Sequence, residues 1–179
     1  MPASILLAVT GGIAAYKAAA LTSQLAQRGH RVRVIMTEAA QEFVGPATFR
    51  ALSGQRVVSQ MFDPEFALGP HIELARDYDI LCVAPATASS MAKAAQGASD
   101  DLFSTLYLCF TGPVLMAPAM NVEMWNHSAV QRNVEQLRKD GVLFSEPGSG
   151  WLSCRTQGVG RMAEPEEILQ RLGSIELPS

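Results

Sequence analysis

The sequence has no excess of basic charge. Its 14 Lys and Arg stand against 17 Asp and Glu, a net charge of −3, which argues against a nucleic-acid surface or a polybasic membrane patch. No apolar run reaches the roughly 20 residues a transmembrane helix needs. The opening "MPASILLAVTGG" is apolar but lacks a basic lead, so it reads as a first strand and not as a secretion signal. Cysteine is scarce and odd in number. Cys82, Cys109 and Cys154 are widely spaced, which argues against a disulfide framework and for a reducing cytoplasm. No CxxC or clustered Cys/His spacing marks a metal site, and His30, His71 and His127 are scattered.

What is present is one domain's worth of chain, 179 residues and 48% hydrophobic, enough to bury a sizeable core. Apolar runs of strand length alternate with helical patterns. "SILLAVT" (4–10), "RVRVIMT" (31–37), "DILCVAPA" (79–86), "PVLMAP" (113–118) and a short "VLFSE" (142–146) read as strands. "IAAYKAAALTSQLAQRG" reads as a helix that stops at Gly29. "EAAQEFV" and "PATFRALSG" read as short helices broken at Gly45-Pro46. "SSMAKAAQG", "DDLFSTLYLCF", "SAVQRNVEQLRKDG" and "EPEEILQRLGSI" read as further helices. "DPEFALGPHIELARDYD" reads as a long polar connection and "PGSGWLSCRTQGVGRMAEP" as a long Gly-rich loop. Near-continuous apolar strands alternating with helices predict a parallel sheet covered on both faces. The expected fold is a single-domain, Rossmann/flavodoxin-like three-layer α/β sandwich over residues 1–175, with 176–179 a frayed tail. Such sheets bind ligands beyond the carboxyl ends of their strands. The residues to question are therefore Gly11-Gly12, Thr37, "PATASS", "PAMN" and the late Gly-rich loop.

Taken singly, these features are of unequal weight. "VTGGIAAYK" suits a phosphate held by backbone amides at a helix start, and equally a plain tight turn. Thr87, Ser89 and Ser90 have hydroxyls a ligand can use, or simply cap a helix. Lone His71, and Arg76 five residues on, read as surface or structural residues; His30 and His127 have bland roles. Cys82 and Cys109 read as small buried hydrophobes. Cys154 differs, because it lies in a long loop that no core requires, near Arg155 and Arg161. In "PAMNVEMW", Met124 and Trp125 read as packing, whereas Asn121 presents an amide whose donors and acceptor need partners.

Together, "VTGGIAAYK", "HIELAR", "APATASSMAK", "GASDDL", "PAMNVEMWNH" and "LSCRTQGVGRMAEPEEI" resemble the homo-oligomeric flavin-containing cysteine decarboxylase family, in order and over nearly the whole chain. "PAMNVEMW" matches that family's PxMNxxMW motif at every fixed position. The resemblance implies an FMN-dependent carboxy-lyase, cytoplasmic, a homotrimer or a dodecamer of trimers. The substrate it implies is 4′-phosphopantothenoylcysteine, which such an enzyme turns into 4′-phosphopantetheine for coenzyme A. FMN would lie against Gly11, Gly12, Ile13, Thr37, Phe43, Thr87, Ala88, Ser89, Ser90 and Ala119. The substrate would meet Asn121, Met120, Arg76 and Lys17. His71, Asn121 and Cys154 would be catalytic: His71 beside the flavin at a subunit boundary, Asn121 on the cysteine carboxylate, Cys154 in a mobile loop.

The implied chemistry oxidises the cysteine Cβ–S unit to a thioaldehyde, which gives the departing CO₂ an electron sink. Cys154 then protonates the ene-thiol as hydride returns. Two residues depart from the family pattern: Ser89 stands at the asparagine of PASANT, and Arg155 at the glycine after the loop cysteine. A peptidyl-cysteine decarboxylase of the lantibiotic type, a non-catalytic FMN-binding regulator and a flavin prenyltransferase are the alternatives.

Overall fold

The apolar runs become one parallel sheet. In the computed structural model, which describes residues 2–151, 155 and 157–177, the strands are β1 (Ser4–Val9), β2 (Arg31–Met36), β3 (Ile80–Ala86), β4 (Val114–Pro118) and β5 (Leu143–Phe144). Their order is β2-β1-β3-β4-β5 and every pair is parallel. The chain runs outward from β1 to β2, then returns to lay β3 on the other side of β1. That reversal opens a crevice between the carboxyl ends of β1 and β3.

The period of two along each strand divides the core into two halves. Ile5, Leu7, Val9, Cys82, Ala84 and Leu115 face α1 (Ala15–Gln27), α3 (Pro46–Ser53) and α9 (Pro165–Gly173). Leu6, Ala8, Leu81, Val83 and Met116 face α4 (Pro70–Asp77), α5 (Ala88–Gln96), α6 (Leu102–Cys109) and α8 (Ser128–Lys139). Each fully buried leucine there contributes about 2 kcal/mol by leaving water. Two very short helices, α2 (Glu38–Gln41) and α7 (Val122–Asn126), follow β2 and β4. Among the described residues no helix is long and apolar enough to cross a membrane.

Three expectations change. The polar connection over 63–79 contains α4, because Gly69-Pro70 opens a helix instead of a turn: proline needs no N–H at a first helical position. The Gly-rich loop contains an antiparallel hairpin, β6 (Gly148–Trp151) with β7 (Gln157–Arg161). Cys109 is exposed, since it ends α6 while Leu106 and Phe110 take the buried positions. Cys82 is fully buried, and burial pushes its thiol up to about 12, so it stays protonated and inert. His30 and His127 have the bland roles expected: His30 Nδ1 accepts from Ala3 N, and His127 Nδ1 accepts from Ala129 N and caps α8.

The segment between α3 and α4 is sewn to the β2 edge. Met36 N donates to Val58 O at 3.0 Å, and Val58 N to Val34 O at 3.0 Å. Asp63, itself buried, takes Arg56 Nη2 at 2.8 Å and the Glu65 amide at 3.1 Å. The Arg56 guanidinium, then the Glu65 amide, hold its carboxyl below the ordinary value against the opposing effect of burial. A lowered folded pKa gives stability that is present above the unfolded value of about 3.9 and lost as pH falls through the folded one. Asp63→Asn should therefore lower stability at pH 7 by on the order of 1 kcal/mol. Thermal melts across pH should show its gap from the parent chain closing below about pH 4.

Candidate functional site

A cleft of about 1090 Å³ occupies the crevice at the carboxyl ends of β1, β3 and β4. Five helices start on its wall: α1 after the Gly11-Gly12 turn, and four with a polar N-cap side chain there, Thr37 on α2, Thr87 on α5, Asp101 on α6 and Asn121 on α7. For α1, α2, α5 and α7 this follows from the topology, since a helix after a parallel strand must begin at the strand's carboxyl edge; α6 follows α5 directly. The amide-rich starts of α1 and α5 favour an anionic group in the cleft.

The wall between β1 and β3 is tied by hydroxyls. Buried Thr10 Oγ1 donates to Pro85 O at 2.6 Å and accepts from Thr87 N at 3.2 Å. Thr87 Oγ1 in turn accepts from Ser90 N at 3.2 Å. Gly11 is small because the protein demands it: an added Cβ would lie 2.5 Å from Ala39 Cβ at the start of α2. Gly12 is different, because an added Cβ would meet only Pro85 and Thr87, both at 3.8 Å. No protein atom requires its bareness, which leaves the turn open to the cleft.

Asn121 is held by its own helix. Met124 N donates to Asn121 Oδ1 at 2.8 Å. The donor is a backbone N–H, so the accepting atom must be the oxygen, and Nδ2 is the atom left for a ligand. The same turn is backed by β7. Met120 N donates to Gly160 O at 3.0 Å, while a Cβ on Gly160 would lie 2.2 Å from Met120 O, and one on Gly158 would lie 2.9 Å from Val122. Only bare glycines let the hairpin approach so closely.

The fold brings Gly11, Gly12, Ile13, Lys17, Thr37, Thr87, Ala88, Ser89, Ser90, Ala119, Met120 and Asn121 to this one cleft. Phe43 and Arg76 are exposed and do not line it. His71 does not line it either: it sits on α4, its ring close to Gly69, with Nδ1 buried and unpartnered among the described residues. Cys154 lies outside the described residues. Arg155, in the position of a glycine, has φ 64, the left-handed conformation that glycine takes freely. Met124, expected as packing, is 44% exposed and lines the cleft, because α7 is too short to bury both it and Trp125.

Sequence reasoning missed several wall residues. Thr10 precedes Gly11 and had a positional signal; Ser59 and Met61 come from a segment with none. Lys93 reaches Asp100 at 2.8 Å and Asp101 at 2.7 Å, and this bracing places the Asp101 cap on the wall. Burial pushes the Asp101 carboxyl up, but Lys93 and the Ser104 amide outweigh it and hold it below the ordinary value. Among the described residues no cluster of His, Cys, Asp and Glu could hold a metal.

The flavoprotein family model matches residues 2–174. The chain is similar to the coenzyme A biosynthesis bifunctional protein CoaBC of Bacillus subtilis, with 49% identity over 168 residues. That match covers 93% of this chain and 41% of the relative, so the chain spans well under half of it. Among solved structures, a PPC decarboxylase mutant complexed with pantothenoylaminoethenethiol superposes with a TM-score of 0.84 at 28% identity, covering 97% of both chains. The FMN-dependent cysteine decarboxylase SpaF gives 0.81 at 30% identity, covering 95% of this chain and 97% of that one.

The two kinds of glycine should separate experimentally. Gly160→Ala combines a collision with an unfavourable φ of +142, and should cost on the order of 2 kcal/mol, roughly 4–8 °C in melting temperature. Gly12→Ala should melt within roughly 1–2 °C of the parent chain yet bind ligand in the cleft more weakly. Calorimetry with and without ligand reads both.

Proposed function

The chain belongs to the flavoprotein family, and from that premise we propose that it holds FMN in this cleft and decarboxylates 4′-phosphopantothenoylcysteine to 4′-phosphopantetheine, a step of coenzyme A biosynthesis. The substrate is supported by the similarity to the bifunctional coenzyme A protein and to the PPC decarboxylase structure. The cofactor is supported by the family and by the FMN-dependent neighbour. The observation that carries the reading is Asn121, capped on one side by Met124 N and free on the other to donate into the cleft.

The residues present fit FMN. The turn at Gly12 is open without any packing reason. Amides at the α1 and α5 starts, with the exposed Ser89 hydroxyl beside them, suit a phosphate. Met36, Leu102, Phe103 and Ala119 supply an apolar wall for a flat ring. When bound, FMN supplies a reversible two-electron acceptor next to the substrate's Cβ–S unit.

The chain's own residues position and protonate. Asn121 Nδ2 donates to the substrate carboxylate and turns its C–C bond out of the plane of the carbon–sulfur unit. Loss of CO₂ then leaves an electron pair that this unit takes up. Cys154 gives a proton to the ene-thiol that results. His71 assists proton transfer in a homotrimer or a dodecamer of trimers, from the neighbouring copy. Its place on α4, away from the cleft of its own chain, supports that role. On this reading the protein works in the cytoplasm with its thiols reduced.

The purified protein should show a flavin spectrum and, given 4′-phosphopantothenoylcysteine, release CO₂ and 4′-phosphopantetheine by mass. A peptide ending in cysteine should not be turned over; preference for it would replace this substrate. Asn121→Asp sets a carboxylate against a carboxylate, and should lower kcat/KM roughly 100- to 1,000-fold with flavin retained. Normal turnover would remove Asn121 from the mechanism. Under anaerobic conditions Cys154→Ser should release one CO₂ per site and stop at the unsaturated thiol.

A further inference from the structure

Lys17 lies one turn into α1 and lines the cleft, yet its ammonium is turned away to a joint in the backbone. Its side chain is only 5% exposed. Nζ donates to Met162 O at 2.9 Å and to Glu164 Oε1 at 2.9 Å. The same Glu164 oxygen takes Arg161 Nη2 at 2.9 Å. Glu164 also caps the start of α9, and its amide donates to Glu167 Oε2 at 2.7 Å. A buried ammonium must be paired or it costs heavily, so these contacts fix where residues 161–164 can lie.

Arg161 is the last residue of β7, and two residues from Met162 is Gly160, whose carbonyl holds the Met120 amide at 3.0 Å. Lys17, Glu164, β7, Met120 and Asn121 are thus linked by successive short contacts. We propose that Lys17 and Glu164 are positioning residues: they clamp the end of β7, and β7 sets the orientation of the Asn121 turn. This goes beyond a contact between Lys17 and substrate, and its catalytic part rests on the decarboxylase reading above.

The clamp and a direct contact predict different behaviour. If Lys17 met the substrate's negative charge, Lys17→Met would raise KM, and Glu164→Gln, which removes a negative charge nearby, would be neutral or favourable. As a clamp, Lys17→Met and Glu164→Gln should each lower kcat roughly 10- to 100-fold with little change in KM. The double variant should be no worse than the poorer single one, and Lys17→Arg should recover part of the loss.

A readout independent of turnover is amide exchange in the FMN-loaded protein, followed by mass spectrometry. Both single variants should exchange segments 119–124 and 157–162 roughly tenfold faster, while β1 and β3 stay protected. Glu164 is half-exposed, so its variant folds even where Lys17→Met does not. Unchanged exchange in Glu164→Gln, or a KM effect confined to Lys17→Met, would overturn the clamp. Failure of the parent protein to decarboxylate would reject the proposed reaction and leave the exchange result to decide the clamp.

Discussion

A parallel strand leaves the sheet at its carboxyl edge, and the helix that follows must begin there. In this chain that constraint acts on β1, β2, β3 and β4 together, because all run the same way. The caps Thr37, Thr87 and Asn121, with the open turn at Gly11-Gly12, are therefore gathered on one wall by topology alone. The reversal between β1 and β3 keeps the next helix from filling the space, and a cleft remains. Everything proposed about chemistry depends on that edge.

The cleft has a second wall that the sheet does not supply. The hairpin β6–β7 reaches it only because Gly158 leaves room for the Val122 side chain and Gly160 for the Met120 backbone. A helix cap and a backbone carbonyl then fix Asn121 from two sides: Met124 N on its side chain, Gly160 O on the preceding amide. Such double anchoring holds an amide for a ligand at little entropic cost, since the side chain is ordered before anything binds. The Lys17–Glu164–Arg161 cluster joins α1, which opens at the glycine turn, to this second wall. The two walls are coupled by charge as well as by shape.

His71 lies apart from the cleft. The motif "HIELAR" places it on α4, but α4 lies on the sheet face with α6 and leaves the ring outside the cleft. Its Nδ1 is buried within this chain and has no partner among the described residues, an expensive feature. Phe43 and Arg76 are exposed and also lie off the cleft. Three of the residues that the resemblance ties to flavin, substrate or catalysis thus do not line it, whereas the backbone and hydroxyl cradle does.

How much was legible depended on whether a local rule applied. The strands showed as continuous apolar runs, and the helix stops at Gly29, Gly54 and Gly97 as glycines at positive φ; both are properties of the chain near itself. The parallel arrangement and the ligand edge followed from their alternation. The hairpin β6–β7 was not visible, because glycines carry no strand signal, and its pairing is made by contact with the Asn121 turn. Ser59 and Met61 were not visible because they reach the wall through the pairing of Val58 with the distant β2 edge. The amino-acid sequence by itself determined the α/β class, the glycine turn and the PxMNxxMW amide. Only the tertiary structure decided that Lys17 points to Met162 and Glu164, and that His71 lies outside its own cleft. The reason is that side-chain direction follows from packing between elements far apart in sequence, which periodicity and spacing do not record.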